Sequence, residues 1–505
     1  MKIKQLQLQN YGRFEHLTID FAPTEDRASN VTVIVGNNGA GKSQILQALG
    51  VLLSWSFPRL TYNFEEEGWW FTEKYIRNGQ SDSQIELLIN TKELDKSLKE
   101  EFEKISLTLK ASKDTSSRNV DYVVEEINFD KFLKQYRNGV AHSKMSLPLT
   151  ALYPVERNLN FIKSDFEATS EFDIFSGNDN AINELFVSYK DFFTWFRMNE
   201  DLENELKIKQ SIKNNINSQS NELKNHGKSI SFKIDEIVKK ISESVDKKTK
   251  IDLNREQLNL LENLNDLLRQ QLKLLESNKS NLNVNIKQIK LDIVRKAIEE
   301  FTDFKNPHIR RQGTPTMIVE KDSEELDVNQ LSQGEKSLLA LVGDIARRLA
   351  ILNPSLDDPL QGEGVVMIDE VDLHLHPKWQ HDLTDKLVRT FPNVQFILTT
   401  HSPLIVSDRA DILVYLLDDG NLRSIDNIYG EDANTLLNDI FYVPPRTPEV
   451  EETFNAIRRA ISNKELNNAD EQIQQIAKRL SPSNNELLKL RLMLAHAKLA
   501  QNKVS

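Results

Sequence analysis

The chain has 505 residues, no cysteine and a formal net charge of −12 at pH 7. No disulfide framework or thiolate metal site is open to it, and its acidity argues against a generally basic nucleic-acid coat. Its apolar runs are too short for a membrane span and no secretory signal opens it, so a cytoplasmic protein is expected, with two domains or one large domain carrying an insertion.

In chain order, the first informative run is Val31-Thr32-Val33-Ile34-Val35, a buried-strand pattern. GNNGAGKS follows over 36–43, then a helical pattern over 44–53. Strand, glycine-rich loop and helix are the context in which a G-x-x-x-x-G-K-[ST] string binds phosphate. Gly36, Gly39 and Gly41 let the backbone curl so that its N–H groups face the phosphates, and the helix N-terminus adds partial positive charge. In that reading Lys42 reaches the β- and γ-phosphates of ATP, and the Ser43 hydroxyl ligates Mg²⁺. Further on, Glu65-Glu66-Glu67 with Trp69-Trp70-Phe71 reads either as a partner surface or as a buried loop.

Phe192, Phe193, Trp195 and Phe196 form a dense aromatic cluster, expected to anchor the following segment in a core. From 199 to 304 there is no proline and one glycine, Gly227. One apolar stripe runs through Leu206, Ile212, Ile216, Leu223, Ile230, Ile234, Ile237 and Ile241. A second runs through Leu261, Leu264, Leu268, Leu272, Leu275, Leu282, Ile286, Ile289 and Ile293. Two such stripes predict an antiparallel helical hairpin, turning near 246–252 or breaking at His226-Gly227; a bundle lying on the rest of the chain is the other reading. Between Lys207 and Lys250, 11 lysines stand against 5 acids. This basic stripe either tracks a phosphate backbone or is a solvated lysine face.

LSQGE over 331–335 opens an amphipathic helix predicted over 336–350. Ser332 and Gly334 at its start can bind an anion, and Ser332 with Glu335 also reads as a capping box. Val365-Val366-Met367-Ile368 is another buried-strand run, ending in Asp369-Glu370. The aspartate can hold Mg²⁺ through its water shell, and the glutamate can act as general base on the attacking water. His374 and His376 come next; without a third ligand they make a weak metal site, and the preferred reading, contact across a dimer, is what the family resemblance given below implies. Val394-Gln395-Phe396-Ile397-Leu398 is a third strand run, bringing Thr399, Thr400 and His401 to the same sheet edge, where His401 can sense the γ-phosphate. A Toprim-type nuclease domain needs a strand-end glutamate and a later aspartate pair; Leu416-Leu417-Asp418-Asp419 is the only near match, no second acidic strand tip follows and the tail reads as helical, so no nuclease activity of its own is expected. From about residue 449 the chain reads as three or four short helices.

Taken together, GNNGAGKS, LSQGE, VVMIDE and TTHS resemble the ABC-type ATPase head in its SMC-like form. The opening residues 1–21 and a strand pair expected over 75–90 add to that likeness. The resemblance implies an α/β P-loop head with an inserted antiparallel helical hairpin arm and a small helical C-terminal tail. The expected division is 1–195 and 305–442 for the two parts of the head, 196–304 for the arm and 443–505 for the tail. It further implies a homodimer whose heads sandwich two ATP molecules. Gly36, Asn37, Asn38, Gly39, Ala40, Gly41, Lys42, Ser43, Gln44 and Arg13 of one chain would meet Ser332, Gln333, Gly334 and Glu335 of the other across the nucleotide. Glu370, Lys42 and His401 are the implied catalytic residues, with Ser43 and Asp369 as Mg²⁺ ligands. Gln80 and 153–157 are candidate neighbourhoods for the family's Q-loop. The missing cysteines exclude a zinc-hook arm tip.

The whole chain is similar to the PtuA-type ATPases of Septu and retron-linked antiphage systems. That resemblance implies a sensor and regulator that controls a partner HNH-type nuclease, in a retron alongside a reverse transcriptase with its reverse-transcribed DNA and RNA. It leaves room for oligomers beyond the head dimer. The rival reading is a DNA-organising or repair ATPase that binds duplex directly through the arm. A transporter's nucleotide-binding subunit is disfavoured by the large helical insertion.

Overall fold

The computed structural model describes residues 1–56, 60, 68–90, 102–113, 120–141, 147–155, 178, 189–243, 247–280, 291–441 and 446–504. The three apolar strand runs lie side by side at its centre. They are β3 (Val31–Gly36), β12 (Val394–Thr400) and β11 (Gly364–Ile368), paired parallel and buried along their whole length. Burial on both faces is why these strands read as continuous rather than alternating apolar runs. The sheet is completed by β7 (Leu149–Tyr153), β13 (Leu413–Asp418) and an antiparallel edge, β14 (Asn421–Ile425), in the order β14-β13-β3-β12-β11-β7.

Successive side chains of these strands serve two cores. Val31, Val33 and Val35 join Val366, Ile368, Phe396 and Leu398 on one face. Ile34 joins Val365, Met367 and Ile397 on the other. The second face is covered by α1 (Lys42–Ser54) and by an antiparallel sheet. That sheet comprises β1 (Ile3–Tyr11), β2 (Phe14–Asp20), β4 (Asp82–Ile89), β5 (Ser106–Lys113) and β6 (Val120–Ile127), ordered β2-β1-β4-β5-β6. Within 75–90 the structure forms one strand, β4, instead of the expected pair; its partners are β1 and β5, because Tyr75 closes a short 3₁₀ turn and hydrogen-bonds through its carbonyl to the Gly12 N–H. Helix α2 (Phe129–Ala141) buries Phe129, Phe132 and Tyr136 in the same core.

The arm is a helical hairpin of α3 (Tyr189–Glu243) and α4 (Lys247–Ser280). Its root carries the aromatic cluster: Phe192, Phe193, Trp195 and Phe196 are all buried in the first core. Helix α3 ends at Glu243 and α4 begins at Lys247, and α3 continues unbroken through His226 and Gly227. Gly227 faces Leu264, and Ser220 accepts a hydrogen bond from Gln271 at 3.5 Å, which fixes the antiparallel register. On α3 the expected stripe is the seam from Ile216 to Ile241, with Ile230, Ile234 and Ile237 buried.

On α4 the expected stripe is split, which corrects the sequence reading. Leu264 lies in the seam, while Leu261, Leu268 and Leu272 are exposed. The seam uses a neighbouring frame, with Leu253, Leu260 and Leu267. Leu282, Ile286 and Ile289 lie outside the described residues.

The chain re-enters the head through α5 (Leu291–Thr302) and a three-stranded sheet of β8 (Lys305–Arg310), β9 (Thr316–Lys321) and β10 (Glu324–Asp327). Ion pairs weld this junction: Arg295 meets Glu200, Glu203 and Asp292, and Arg311 meets Glu200 and Asp201. Helix α6 (Gln333–Leu352) then runs through the first core, so close to α3 that a side chain at Gly343 would strike the Phe192 ring. Four short helices follow: α7 (Pro377–His381), α8 (Leu383–Thr390), α9 (Pro403–Val406) and α10 (Ala433–Asp439). The tail consists of α11 (Pro448–Ser462), α12 (Leu466–Ala477) and α13 (Asn485–Val504), packed on a core of their own around Phe454, Ile457, Ile473 and Leu487. No helix among the described residues is long and apolar enough to cross a membrane.

Candidate nucleotide site

The site is built where β3, β12 and β11 end together, as ligand sites are in open parallel sheets. At the end of β3, Gly36 has no room for a side chain, since a Cβ would sit 2.2 Å from the Leu417 carbonyl oxygen. Gly41, at φ 110°, caps α1 with no side-chain hydrogen bond, and the first turn of α1 carries no acid. The Gln44 N–H donates to the Gly41 carbonyl at 3.0 Å, and with no side-chain cap the Lys42 and Ser43 N–H groups before it can meet an external anion, with the helix dipole behind them.

Lys42 is the first residue of α1 and is buried. Its ammonium donates to the Gly36 carbonyl at 2.8 Å, to the Asn37 carbonyl at 3.2 Å and to His401 Nε2 at 2.9 Å. Burial lowers the pKa of Lys42, opposed by the charges of Asp369, Glu370 and Asp372. Burial, then the Lys42 charge, lowers that of His401, so its imidazole is neutral and Nε2 is the acceptor.

At the end of β11, Asp369 and Glu370 are both tied to Thr399 on the neighbouring strand. The Thr399 hydroxyl donates to Asp369 Oδ1 and accepts from the Glu370 N–H at 2.8 Å. Glu370 sits at φ 44°, a left-handed conformation unusual outside glycine and asparagine, and places its carboxylate 3.9 Å from His401 Nε2. Asp372 accepts from the Thr400 hydroxyl at 2.6 Å and from the His401 N–H at 3.3 Å, fixing the backbone that presents the histidine. Thr399 and Asp372 were the residues whose part the sequence left unread. Their signal is a hydroxyl directly after an apolar strand run, and an acid three positions beyond Asp369.

Arg13 and Gln44 stand at the rim. Gln44 Oε1 accepts the Arg13 N–H at 3.1 Å, while the Arg13 guanidinium lies beside Gly39 and pairs with exposed Asp419 at 3.2 Å. Of the two Q-loop neighbourhoods, the one at Tyr153 abuts the site, because its carbonyl accepts the Asp369 N–H at 2.9 Å. Glu156 and Arg157 lie outside the described residues.

Ser332 and its neighbours make contacts of a different kind. Ser332 caps α6, and Glu335 reaches back to it: the Ser332 N–H and hydroxyl both donate to Glu335 Oε2, at 2.8 and 2.7 Å. The helix begins at Gln333, three residues before the predicted start, because this box organises its first turn. Lys321 donates to Glu335 at 2.6 Å. Burial pushes the Glu335 pKa up, but the Lys321 and Ser332 hydrogen bonds outweigh it and hold the carboxyl below its ordinary value. Gly334 packs on the His374 carbonyl, 2.2 Å from where a Cβ would be. His376 caps α7 through Nδ1, which accepts the Lys378 N–H at 3.2 Å.

Comparison with known proteins supports ATPase activity. The model of the AAA ATPase domain matches residues 1–406. The Retron Vc95 probable ATPase of Vibrio cholerae serotype O1 biovar El Tor is 32% identical over 455 residues, covering 86% of this chain and 78% of that protein. The Retron Ec83 probable ATPase of Escherichia coli is 32% identical, covering 89% of this chain and 78% of that protein. The Septu protein PtuA of Bacillus mycoides (strain KBAB4) is 30% identical over 162 residues, 30% of this chain and 22% of that protein.

Proposed function

The chain belongs to the AAA ATPase domain family, and on that premise we propose that it is an ATP-driven dimerisation switch governing a partner effector in a retron- or Septu-type defence system. The observation that carries the reading is the convergence of Lys42, His401, Asp369 and Glu370 at one strand-end edge, beside an uncapped helix start.

In this reading the Gly36–Gly41 loop and the start of α1 take the phosphates of ATP, and Lys42 exchanges its carbonyl partners for phosphate oxygens. The donor set suits a hard divalent cation: Ser43 offers a hydroxyl, and Asp369 offers the carboxylate oxygen that Thr399 does not occupy. Mg²⁺ held there would supply charge neutralisation for the β- and γ-phosphates. Glu370 takes a proton from the water that attacks the γ-phosphorus; the bond to the β–γ bridging oxygen breaks, leaving ADP and phosphate. Once Lys42 turns to the phosphates, neutral His401, its backbone fixed through Asp372, can carry its proton on Nε2 and donate a hydrogen bond to a γ-phosphate oxygen, which distinguishes ATP from ADP.

Ser332, Gln333, Gly334 and Glu335 of a second chain close the site, which makes the closed state a homodimer. The likeness to the two retron ATPases along most of the chain supports a place in such a system. There the arm and tail transmit head closure to an HNH-type nuclease, and in a retron to a reverse transcriptase with its DNA. The alternative, direct duplex binding through the arm lysines, is weakened because Lys207, Lys209 and Lys240 each pair with an acid one turn away.

The test is size-exclusion chromatography of Glu370→Gln with and without ATP and Mg²⁺. ATP is expected to raise the mass by bringing heads together in pairs; a mass unchanged under saturating ATP overturns the switch. Co-expression with the protein encoded beside it tests the partner: a complex containing an HNH nuclease is expected.

A further inference from the structure

We propose that the outer face of α4 is an interface for α4 of a second copy of this chain, packed antiparallel. The inference is independent of the nucleotide site. It starts from a mismatch between composition and placement. The seam that α4 presents to α3 is Leu253, Gln257, Leu260, Leu264, Leu267 and Gln271, with glutamine at two of its positions. Meanwhile Ile251, Leu258, Leu261, Leu268 and Leu272, on the same helix, are between 45% and 60% exposed.

These five recur at steps of seven, three, seven and four, a heptad frame of their own. On a helix advancing about 100° per residue, that frame lies about 110° round from the inner seam. A helix with two apolar faces so disposed belongs in a bundle of more than two helices. The stripe is roughly 30 Å long and would be an aggregation liability if it served nothing.

A second copy is the occupant because the stripe from Ile251 to Leu268 matches itself. Set antiparallel with Leu258 against Leu261 of the second copy, it layers Ile251 on Leu268 and brings its two polar positions, Asn254 and Asn265, together. The same register puts Arg255 within reach of Glu262 of the second copy, twice by symmetry. Lys248 and Arg269 meet at each end, so the contact is held from its centre. Two such stripes with their flanks bury about 1,000 Å² in total, the lower bound for a specific interface.

The test uses the full chain with Lys42→Ala and no nucleotide, so that head closure does not contribute. Light scattering is expected to give twice the 58.1 kDa chain mass, falling to one chain when Leu258→Glu and Leu261→Glu are added. Both positions are exposed, and circular dichroism checks that the helices persist. Because the chain has no cysteine, Leu258→Cys with Leu261→Cys gives a clean second readout: mild oxidation should yield a disulfide-linked dimer. A monomer that does not cross-link overturns the proposal, as does a dimer unaffected by the two glutamates. Either failure leaves an ATP-dependent dimer of Glu370→Gln untouched, so the two readings fall separately.

Discussion

Two helices of the head begin with opposite chemistry. Helix α1 starts behind Gly41 with no side-chain cap and no acid in its first turn. Helix α6 starts behind Ser332, whose capping box with Glu335 fills the first turn with the chain's own carboxylate. Both are P-loop-fold candidates for holding phosphate, yet only one is ready in the isolated chain. An uncapped N-terminus is a preformed anion site. A capped one has already satisfied itself, and its acid repels phosphate unless Lys321 neutralises it. The α1 start is therefore open to an anion as it stands and the α6 start is not; in the proposed dimer the latter would join the site from a second chain.

That contrast is open to test. The largest effect belongs to Lys42→Ala: it should weaken ATP binding by about 3 kcal/mol, more than a hundredfold in Kd, by titration calorimetry. Near-native affinity would end the claim that the α1 side is the preformed half. Glu370→Gln should keep that affinity while turnover falls about 10²- to 10⁴-fold in a phosphate-release assay, separating binding from chemistry. Thr399→Val removes the hydroxyl shared by Asp369 and Glu370 with little change of shape; the half-saturating Mg²⁺ concentration should rise about tenfold.

The smallest effect tests the closed half. Glu335→Gln should lower stability by about 1 kcal/mol at neutral pH. The folded-state pKa of Glu335 lies below its ordinary value, so its contribution is whole above that ordinary value and fades as acid takes the pH down through the depressed one. Melting curves of wild type and Glu335→Gln should therefore converge in acid. A constant gap would mean that the carboxylate charge contributes nothing to the cap.

Much of this was legible in the sequence because the strings sit in their proper context. The run before Gly36, the run before Asp369 and the run before Thr399 are continuous because their strands are buried on both faces, and that burial is what makes them neighbours. Residues far apart in sequence carry no such local signal. Nothing local says that the Thr399 hydroxyl will bridge the two residues that follow β11, or that the Tyr153 carbonyl will meet the Asp369 N–H. The arm shows a different limit. Leu260, Leu264 and Leu267 form one apolar frame, and Leu261, Leu268 and Leu272 another, so periodicity identifies a helix with apolar faces without saying which face meets α3. Register decides it, through Gly227 opposite Leu264 and Ser220 opposite Gln271.

Tyr153 ties these regions together. Its hydroxyl meets Asp344 at 2.9 Å, deep in α6, where Arg347 and Arg348 hold that carboxylate at a pKa of about 2. Its carbonyl, meanwhile, restrains Asp369. One side chain and one peptide group thus act as a tie-rod between the helix that a second chain would grip and the acid that would hold the cation. A tilt of α6 would load that rod, so in the proposed dimer partnering and metal alignment would be mechanically the same event.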